Sequence, residues 1–177
     1  MDKKELRKKI REQKRAMTEQ QIVAASQRLG ELFLACDQYQ NAKTIYGYLP
    51  YNQEVRTVPM LEQAMKDGKR VAVPKCYGDE MRFIYMDDLS KVEKGYANIP
   101  EPIADDPVAE DKTALVLMPG MAFTKDGKRM GYGGGFYDKF LAAEPDHPTV
   151  ALCYDFQMVE DLPTEEYDIP VDCVLWA

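Results

Sequence analysis

The feature that most constrains the fold of this chain is the run TALVLMPG at residues 113–120, which is apolar without a break from Ala114 to Met118. A strand that is apolar on both of its faces must be covered on both sides, as in the interior of a parallel sheet. The run PTVALCY at 148–154 has the same character, and DCVLWA at 172–177 indicates a final strand. Strands alternate with helical patterns from residue 44 onward. We therefore predict an α/β three-layer sandwich with a central, mostly parallel sheet and helices on both faces.

The remaining elements follow from periodicity and from turn residues. A basic helix with a narrow apolar face is expected from Lys3 to about Met17, and Thr18 with its capping-box residue opens a second helix that runs to about Ala35. Further strands are expected at 42–50, 70–77 and 81–86. Three more helices are expected: one that ends near Gly68, one from Gly135 or Phe136 to Ala143, and a short one at 156–163. Residues 96–112, rich in Pro and Asp, are expected to form a long surface connection.

Composition limits the classes of function. The 177 residues, 45% of them hydrophobic, fit a single domain over 1–177, and the net charge of -7 argues against a general binder of nucleic acid or of anionic membranes. No apolar run approaches the roughly 20 residues of a membrane span, and the N-terminus lacks the apolar segment of a secretory signal. We expect a cytoplasmic protein that is a monomer or a weak homodimer.

Cysteine and histidine usage narrows the chemistry further. Cys36, Cys76, Cys153 and Cys173 are scattered without a C-x-x-C pair, so reduced, structural thiols are expected. His147 is the only histidine and is placed in a loop, which argues against Ser-His-Asp, Cys-His and multi-histidine metal sites.

The stretch KDGKRMGYGGGFYDKF at 125–140 contains five of the 11 glycines, four of them within residues 131–135, and lies between a buried strand and a helix. It is neither a G-x-G-x-x-G nor a G-x-x-x-x-G-K-[ST] motif, so two interpretations stay open. It is either a phosphate-binding loop assisted by Lys125, Lys128 and Arg129, or a structural hairpin or mobile loop. Asp138 is either a residue of the helix start or a Mg²⁺ ligand, and Asp168 is either a second carboxylate for that ion or an ordinary loop aspartate.

Four blocks taken together resemble the 5-formyltetrahydrofolate cyclo-ligase family: KKELRKKIREQKRAM, YLPYNQEVRT, LMPGMAFTKDGKRMGYGGGFYDKFL and DIPVDCVL. The resemblance implies a three-layer α/β fold and an ATP- and Mg²⁺-dependent cyclisation of 5-formyltetrahydrofolate to 5,10-methenyltetrahydrofolate, with release of ADP and phosphate. It also implies that the formyl oxygen attacks the γ-phosphate, that N10 of the folate then adds to the activated carbon, and that phosphate leaves. The protein would then supply mainly positioning and charge stabilisation.

The resemblance also implies roles for individual residues. The implied contacts to the folate are Leu49, Glu54 and the segment Tyr132, Gly133, Gly134, Gly135 and Phe136. The implied Mg²⁺ ligands are Asp138 and Asp168. ATP contacts fall on Lys3, Lys4, Arg7, Arg129, Met130, Gly131, Tyr132, Gly133, Gly134, Gly135, Phe136 and Tyr137.

Plainer interpretations stay open for several of these residues. Lys3 and Arg7, which stand four residues apart on one helical face, also suit a solvated basic face. Glu54 also suits a helix start, and Tyr96 suits packing as well as stacking on a pterin. The sequence departs from the family pattern at Thr124, where Asp is frequent, at Met130, where Leu is usual, and at Gly134, where some members have Lys.

Two other functions remain as alternatives. A non-catalytic nucleotide- or folate-binding module would keep the loop without turnover. A nucleic-acid-associated protein acting through the basic first helix is disfavoured by the acidic remainder of the chain.

Overall fold

A six-stranded sheet forms the centre of the protein, for which the computed structural model describes residues 2–177. The strands of this sheet and of two small ribbons are β1 (Thr44–Tyr46), β2 (Arg70–Tyr77), β3 (Glu80–Tyr85), β4 (Val92–Lys94), β5 (Pro100–Pro102), β6 (Leu115–Met118), β7 (Ala122–Phe123), β8 (Arg129–Met130), β9 (Thr149–Cys153) and β10 (Cys173–Trp176). In space the sheet has the order β10–β9–β6–β1–β2–β3, while β4–β5 and β7–β8 form the ribbons. All neighbours in the sheet are parallel except the β2–β3 hairpin, which confirms the mostly parallel prediction.

Alternating side chains of the sheet create two apolar layers. The helices are α1 (Lys3–Arg15), α2 (Glu19–Ala35), α3 (Asp37–Asn41), α4 (Val58–Lys66) and α5 (Phe136–Ala143). Ile45 and Leu117 point to the side covered by α2, α3 and α4, whereas Tyr46 and Val116 point to the side covered by α5. Helices therefore cover both faces, as predicted.

Capping residues determine where the first two helices begin. The Asp2 carboxylate accepts from Glu5 N at 2.8 Å, and the Glu5 carboxylate accepts from Asp2 N at 3.3 Å. Thr18 and Gln21 form the equivalent reciprocal pair at the start of α2. Each capping box satisfies two otherwise unpaired amides. The predicted starts are thus confirmed, and α1 ends at Arg15, just before the predicted Met17.

Two predicted elements are shorter than expected. The strand predicted over 42–50 is only β1. The backbone that follows it lies close to α4, since a Cβ at Gly47 would lie 2.6 Å from Leu61 of that helix. The helix predicted over 156–163 is a single 3₁₀ turn, Asp155–Gln157. It stops there because Val159 N donates to Phe123 O at 2.9 Å, which pairs this segment with β7.

The segment predicted as an irregular connection, 96–112, is partly ordered. It contains β5, and Ala109 N donates to Phe83 O at 2.7 Å, so the chain lies along the free edge of β3. The ribbon β7–β8, between β6 and the glycine loop, was not predicted.

His147 lies in the protein interior, and the cysteines form no disulfides. His147 is buried, with Nδ1 at 2.8 Å from Ala114 O, and its ring lies 5.4 Å from that of Phe140. All four cysteines are free. Within residues 2–177, none of the helices is long and apolar enough to cross a membrane.

Candidate active site

A cavity of about 590 Å³ opens beyond the carboxyl ends of the central strands. This is where open α/β sheets bind their ligands. Its walls come from α1, from the loop after β1, from the 3₁₀ turn at Tyr96–Asn98, from the glycine loop and from the segment at Tyr167–Asp168. Segments far apart in sequence therefore meet around one space.

One wall is a row of basic side chains on α1. Lys3 and Arg7 line the cavity as the i, i+4 spacing predicts, whereas Lys4 is exposed and lies outside the lining. Ile10, buried on the inner side of the helix, packs with Met121 and with other residues around the β7–β8 ribbon, which sets the rotation of α1. The lining also includes Arg11, Lys14 and Arg15. Sequence reasoning missed these three, although continuing the spacing from Lys3 and Arg7 would have found them.

Arg129 is a buried cation beneath the glycine loop, with only 5% of its side chain exposed. Its Nη1 donates to Pro119 O at 2.9 Å and its Nη2 to Asp138 Oδ2 at 3.2 Å, while Nε is buried without a partner among residues 2–177. The guanidinium also explains Gly131, since a Cβ there would lie 3.0 Å from Nη1. The cation is thus fixed in place, with its Nε donor unused.

The glycine loop ends in an uncapped helix start. Gly135, the N-cap of α5, has φ 70°, and Gly133 has φ 109°, both in the left-handed region that favours glycine. Within the described chain, no side chain caps this helix start. The first amides of α5 are therefore available to an anion, assisted by the helix dipole.

Three polar side chains from separate elements form a chain within the cavity, called here the Lys14–Tyr132–Glu54 relay. Lys14 Nζ donates to the Tyr132 hydroxyl at 3.3 Å, and that hydroxyl donates to Glu54 Oε2 at 3.2 Å. Glu54 Oε1 accepts from Tyr51 N at 2.8 Å. Burial raises the pKa of Glu54, and the positive charge of Lys14 opposes that shift. Burial lowers the pKa of Lys14, and the negative charge of Glu54 opposes that shift. Each of the two charges thus favours the ionised form of the other residue.

Asp138 and Asp168, the predicted metal ligands, both line the cavity. Asp138 Oδ1 accepts from Ile169 N at 3.1 Å, so the residue next to Asp168 is tied to Asp138. Within residues 2–177, no group of three or more His, Cys, Asp or Glu side chains could enclose a metal by itself. Two carboxylates nevertheless suit Mg²⁺, which in nucleotide sites typically takes one or two carboxylates plus phosphate oxygens and water.

The other side of the cavity is apolar and aromatic. Leu49 is buried, and the Tyr96 ring lies edge-on to Phe136 at 5.1 Å while 52% of Tyr96 remains exposed. Met81 is another apolar residue of the lining. A flat heteroaromatic ring is a suitable occupant for such a surface.

Comparison with known proteins identifies the family. The sequence profile described as the 5-formyltetrahydrofolate cyclo-ligase family matches residues 1–177. The chain belongs to this family. A 5-formyltetrahydrofolate cyclo-ligase of Escherichia coli K12 is 31% identical over 94% of this chain and 95% of the relative, and one of Mus musculus is 29% identical over 98% and 93%.

Solved structures agree with the membership in the cyclo-ligase family. The 5,10-methenyltetrahydrofolate synthetase of Aquifex aeolicus superposes with a TM-score of 0.85 at 28% identity, covering 99% of this chain and 90% of that protein. The synthetase of Mycoplasma pneumoniae gives a TM-score of 0.78 at 25% identity, with 98% of each chain covered. The three-layer fold predicted from the sequence is therefore confirmed, and the chain is an enzyme of the cyclo-ligase family.

The structure brings nearly all of the residues that the resemblance assigned to this cyclo-ligase site to one cavity, and Lys4 is the exception. Lys125 and Lys128, predicted to assist the glycine loop, also lie outside the lining, and Lys128 pairs with Asp161 at 2.6 Å instead. The lining includes, from the predicted set, Lys3, Arg7, Leu49, Glu54, Arg129, Met130, Gly131, Tyr132, Gly133, Gly134, Gly135, Phe136, Tyr137, Asp138 and Asp168.

Proposed function

We propose that this cavity binds Mg-ATP and 5-formyltetrahydrofolate side by side and converts the folate to 5,10-methenyltetrahydrofolate, with release of ADP and phosphate. The observation that carries the proposal is the single cavity itself. It combines a cationic wall and free helix amides with an aromatic surface and a carboxylate. Membership in the cyclo-ligase family gives that combination its chemical meaning.

The nucleotide occupies the side formed by α1 and the glycine loop. Lys3 and Arg7 neutralise phosphate oxygens from one wall, and the positive charge of Arg129 does so from below. The amides at the start of α5 face the same oxygens, and the glycines allow a close backbone approach. Gly134, where some family members have Lys, leaves more of the charge compensation to Arg129 and to α1.

The folate occupies the side formed by the loop after β1. Glu54 accepts hydrogen bonds from the N–H groups of the pterin, while Leu49, Tyr96 and Phe136 contact its ring. Glu54 Oε2 also accepts from the Tyr132 hydroxyl. Because a carboxylate oxygen can accept a second hydrogen bond, the pterin binds beside Tyr132 and the contact between Tyr132 and Glu54 is kept.

Asp138 and Asp168 are the residues that would hold Mg²⁺. When bound, the ion offsets phosphate charge and orients the nucleotide. Asp138 is oriented for this role by Arg129 and by Ile169 N, each of which uses one of its two oxygens.

The chain's contribution to the reaction is positioning. The attacking groups, the formyl oxygen and N10, belong to the folate, and the leaving phosphate comes from ATP. Phosphoryl transfer requires the attacking and leaving oxygens to be held roughly in line and their charge to be compensated. The two sides of the cavity do both. A cytoplasmic location and a monomer or weak homodimer stay predictions.

Turnover tests this proposal. Purified protein with Mg-ATP and 5-formyltetrahydrofolate should produce the near-ultraviolet absorbance of the methenyl product together with ADP. A folded protein that binds both ligands, as measured by calorimetry, but forms neither product would instead be the non-catalytic module.

A further inference from the structure

We propose that Lys14 is a positioning residue of this site, which holds Glu54 ionised and aligned for the folate through the hydroxyl of Tyr132. The inference deepens the proposed function and rests on it, since it concerns how the folate side is prepared for substrate. Sequence reasoning gave Lys14 no role.

The geometry of the Lys14–Tyr132–Glu54 relay has a fixed direction. An ammonium has only donors, so Lys14 donates at 3.3 Å, and the Tyr132 hydroxyl is thereby oriented to donate its own hydrogen to Glu54 at 3.2 Å. A hydroxyl that accepts from a cation is a stronger donor, because hydrogen bonds in a chain polarise one another. The positive charge of Lys14 thus reaches the carboxylate through one hydroxyl.

Lys14 is unusual because it is buried while carrying spare donors. It is only 8% exposed, and among residues 2–177 its ammonium has a single hydrogen-bond partner, the Tyr132 hydroxyl. It also lies 5.5 Å from the centre of the Tyr132 ring. Burying a lysine with so little compensation costs free energy. A purely structural lysine would extend into solvent, as Lys8 does on the same helix.

The charge of Glu54 depends on this arrangement. Burial raises the pKa of Glu54, and Lys14 opposes that shift. A protonated Glu54 loses acceptor capacity for pterin N–H groups. Lys14 therefore extends the pH range in which the carboxylate is ready for substrate.

The other groups facing the relay do not titrate near neutral pH. Burial raises the pKa of each neighbouring tyrosine and of the cysteine, which remain neutral, while the guanidinium groups remain charged. These groups are Arg11 on α1, Tyr48 after β1, Arg129 in β8, Tyr137 on α5, Cys153 at the end of β9 and Tyr154 after it.

The test is the pH dependence of kcat/KM for 5-formyltetrahydrofolate at saturating Mg-ATP. In Lys14→Met the acid limb should move to higher pH, because Glu54 loses its cation, and kcat/KM at pH 7 should fall roughly 10-fold or more. In Lys14→Arg the acid limb should stay in place. The alkaline limb of the Lys14→Arg profile should move to higher pH, because arginine does not lose its charge. Lys8→Met, an exposed change on the same helix, should match the wild type.

An unchanged acid limb in Lys14→Met, or an alkaline limb in Lys14→Arg identical to the wild type, would overturn the inference. If the wild type binds folate without turnover, the proposed reaction fails. The same displacements should then be sought in the pH dependence of folate affinity, measured by calorimetry. If the pH profiles of folate affinity differ between the Lys14 variants and the wild type, they support the role of Lys14 in a protein that does not turn over. If the profiles coincide, they refute that role.

Discussion

At the scale of single residues, Arg129 combines a structural role with a proposed role in phosphate binding. Its side chain is 5% exposed and pairs with Asp138, which is 18% exposed, so removing the cation leaves a largely buried carboxylate without its partner. Breaking such a pair is costly even where forming it gains little, because the remaining charge has been taken out of water.

We expect Arg129→Met to lower the free energy of unfolding by about 3 kcal/mol, measured by urea denaturation. The matched control is Arg28→Met, which removes an arginine whose side chain is 62% exposed and paired with Glu31. That change should cost less than about 1 kcal/mol. Equal losses in the two variants would show that the buried pair contributes nothing special.

Glycines at positive φ allow strain to be separated from ligand contact. Gly135 has φ 70° and Gly68, after α4, has φ 83°, and a Cβ added to either glycine would meet no atom within 4 Å. Alanine at either position should cost about 1 kcal/mol of stability. Only Gly135→Ala should also raise the KM for ATP, because only that residue lines the cavity. The same KM in both variants would argue against phosphate binding at the start of α5.

At the scale of elements, α1 depends on a few apolar contacts to present its basic face. Ile10 is 1% exposed and packs in the cluster formed with Met121, Met130 and Leu162. Ile10→Ala should lower the free energy of unfolding by about 2–4 kcal/mol and raise the KM for ATP, since the helix is held less firmly. Val23→Ala, an exposed change on α2 where 49% of the residue is accessible, should alter neither quantity. A normal KM in a destabilised Ile10→Ala protein would separate α1 from nucleotide binding.

The helices and strands also show which parts of the fold the sequence could predict. The helices α1 and α2 carry their capping residues within a few positions, and the apolar run of β6 is a local signal, so both kinds of element were predicted. The ribbon β7–β8 was missed because strands of two residues, such as Ala122–Phe123, have no detectable period. The helix expected at 156–163 failed because the backbone pairing of Val159 with Phe123 is not encoded locally.

At the scale of the whole molecule, the site is assembled by topology. Lys14 and Tyr132 are 118 residues apart, and Tyr132 and Glu54 are 78 apart, yet the order of the parallel strands brings them to one edge of the sheet. Spacing alone predicted a glycine loop with two open interpretations. The resemblance to the cyclo-ligase family predicted 15 of the 33 residues that line the cavity, but the relay required the folded structure.

The proposed chemistry requires ATP and the folate to react directly with each other in this one cavity. A decisive experiment uses 5-formyltetrahydrofolate labelled with oxygen-18 in the formyl group, followed by mass analysis of the released phosphate. If the formyl oxygen attacks the γ-phosphate and leaves with it, each phosphate should carry one labelled oxygen. Methenyl product formed together with unlabelled phosphate would contradict a direct reaction between the two substrates.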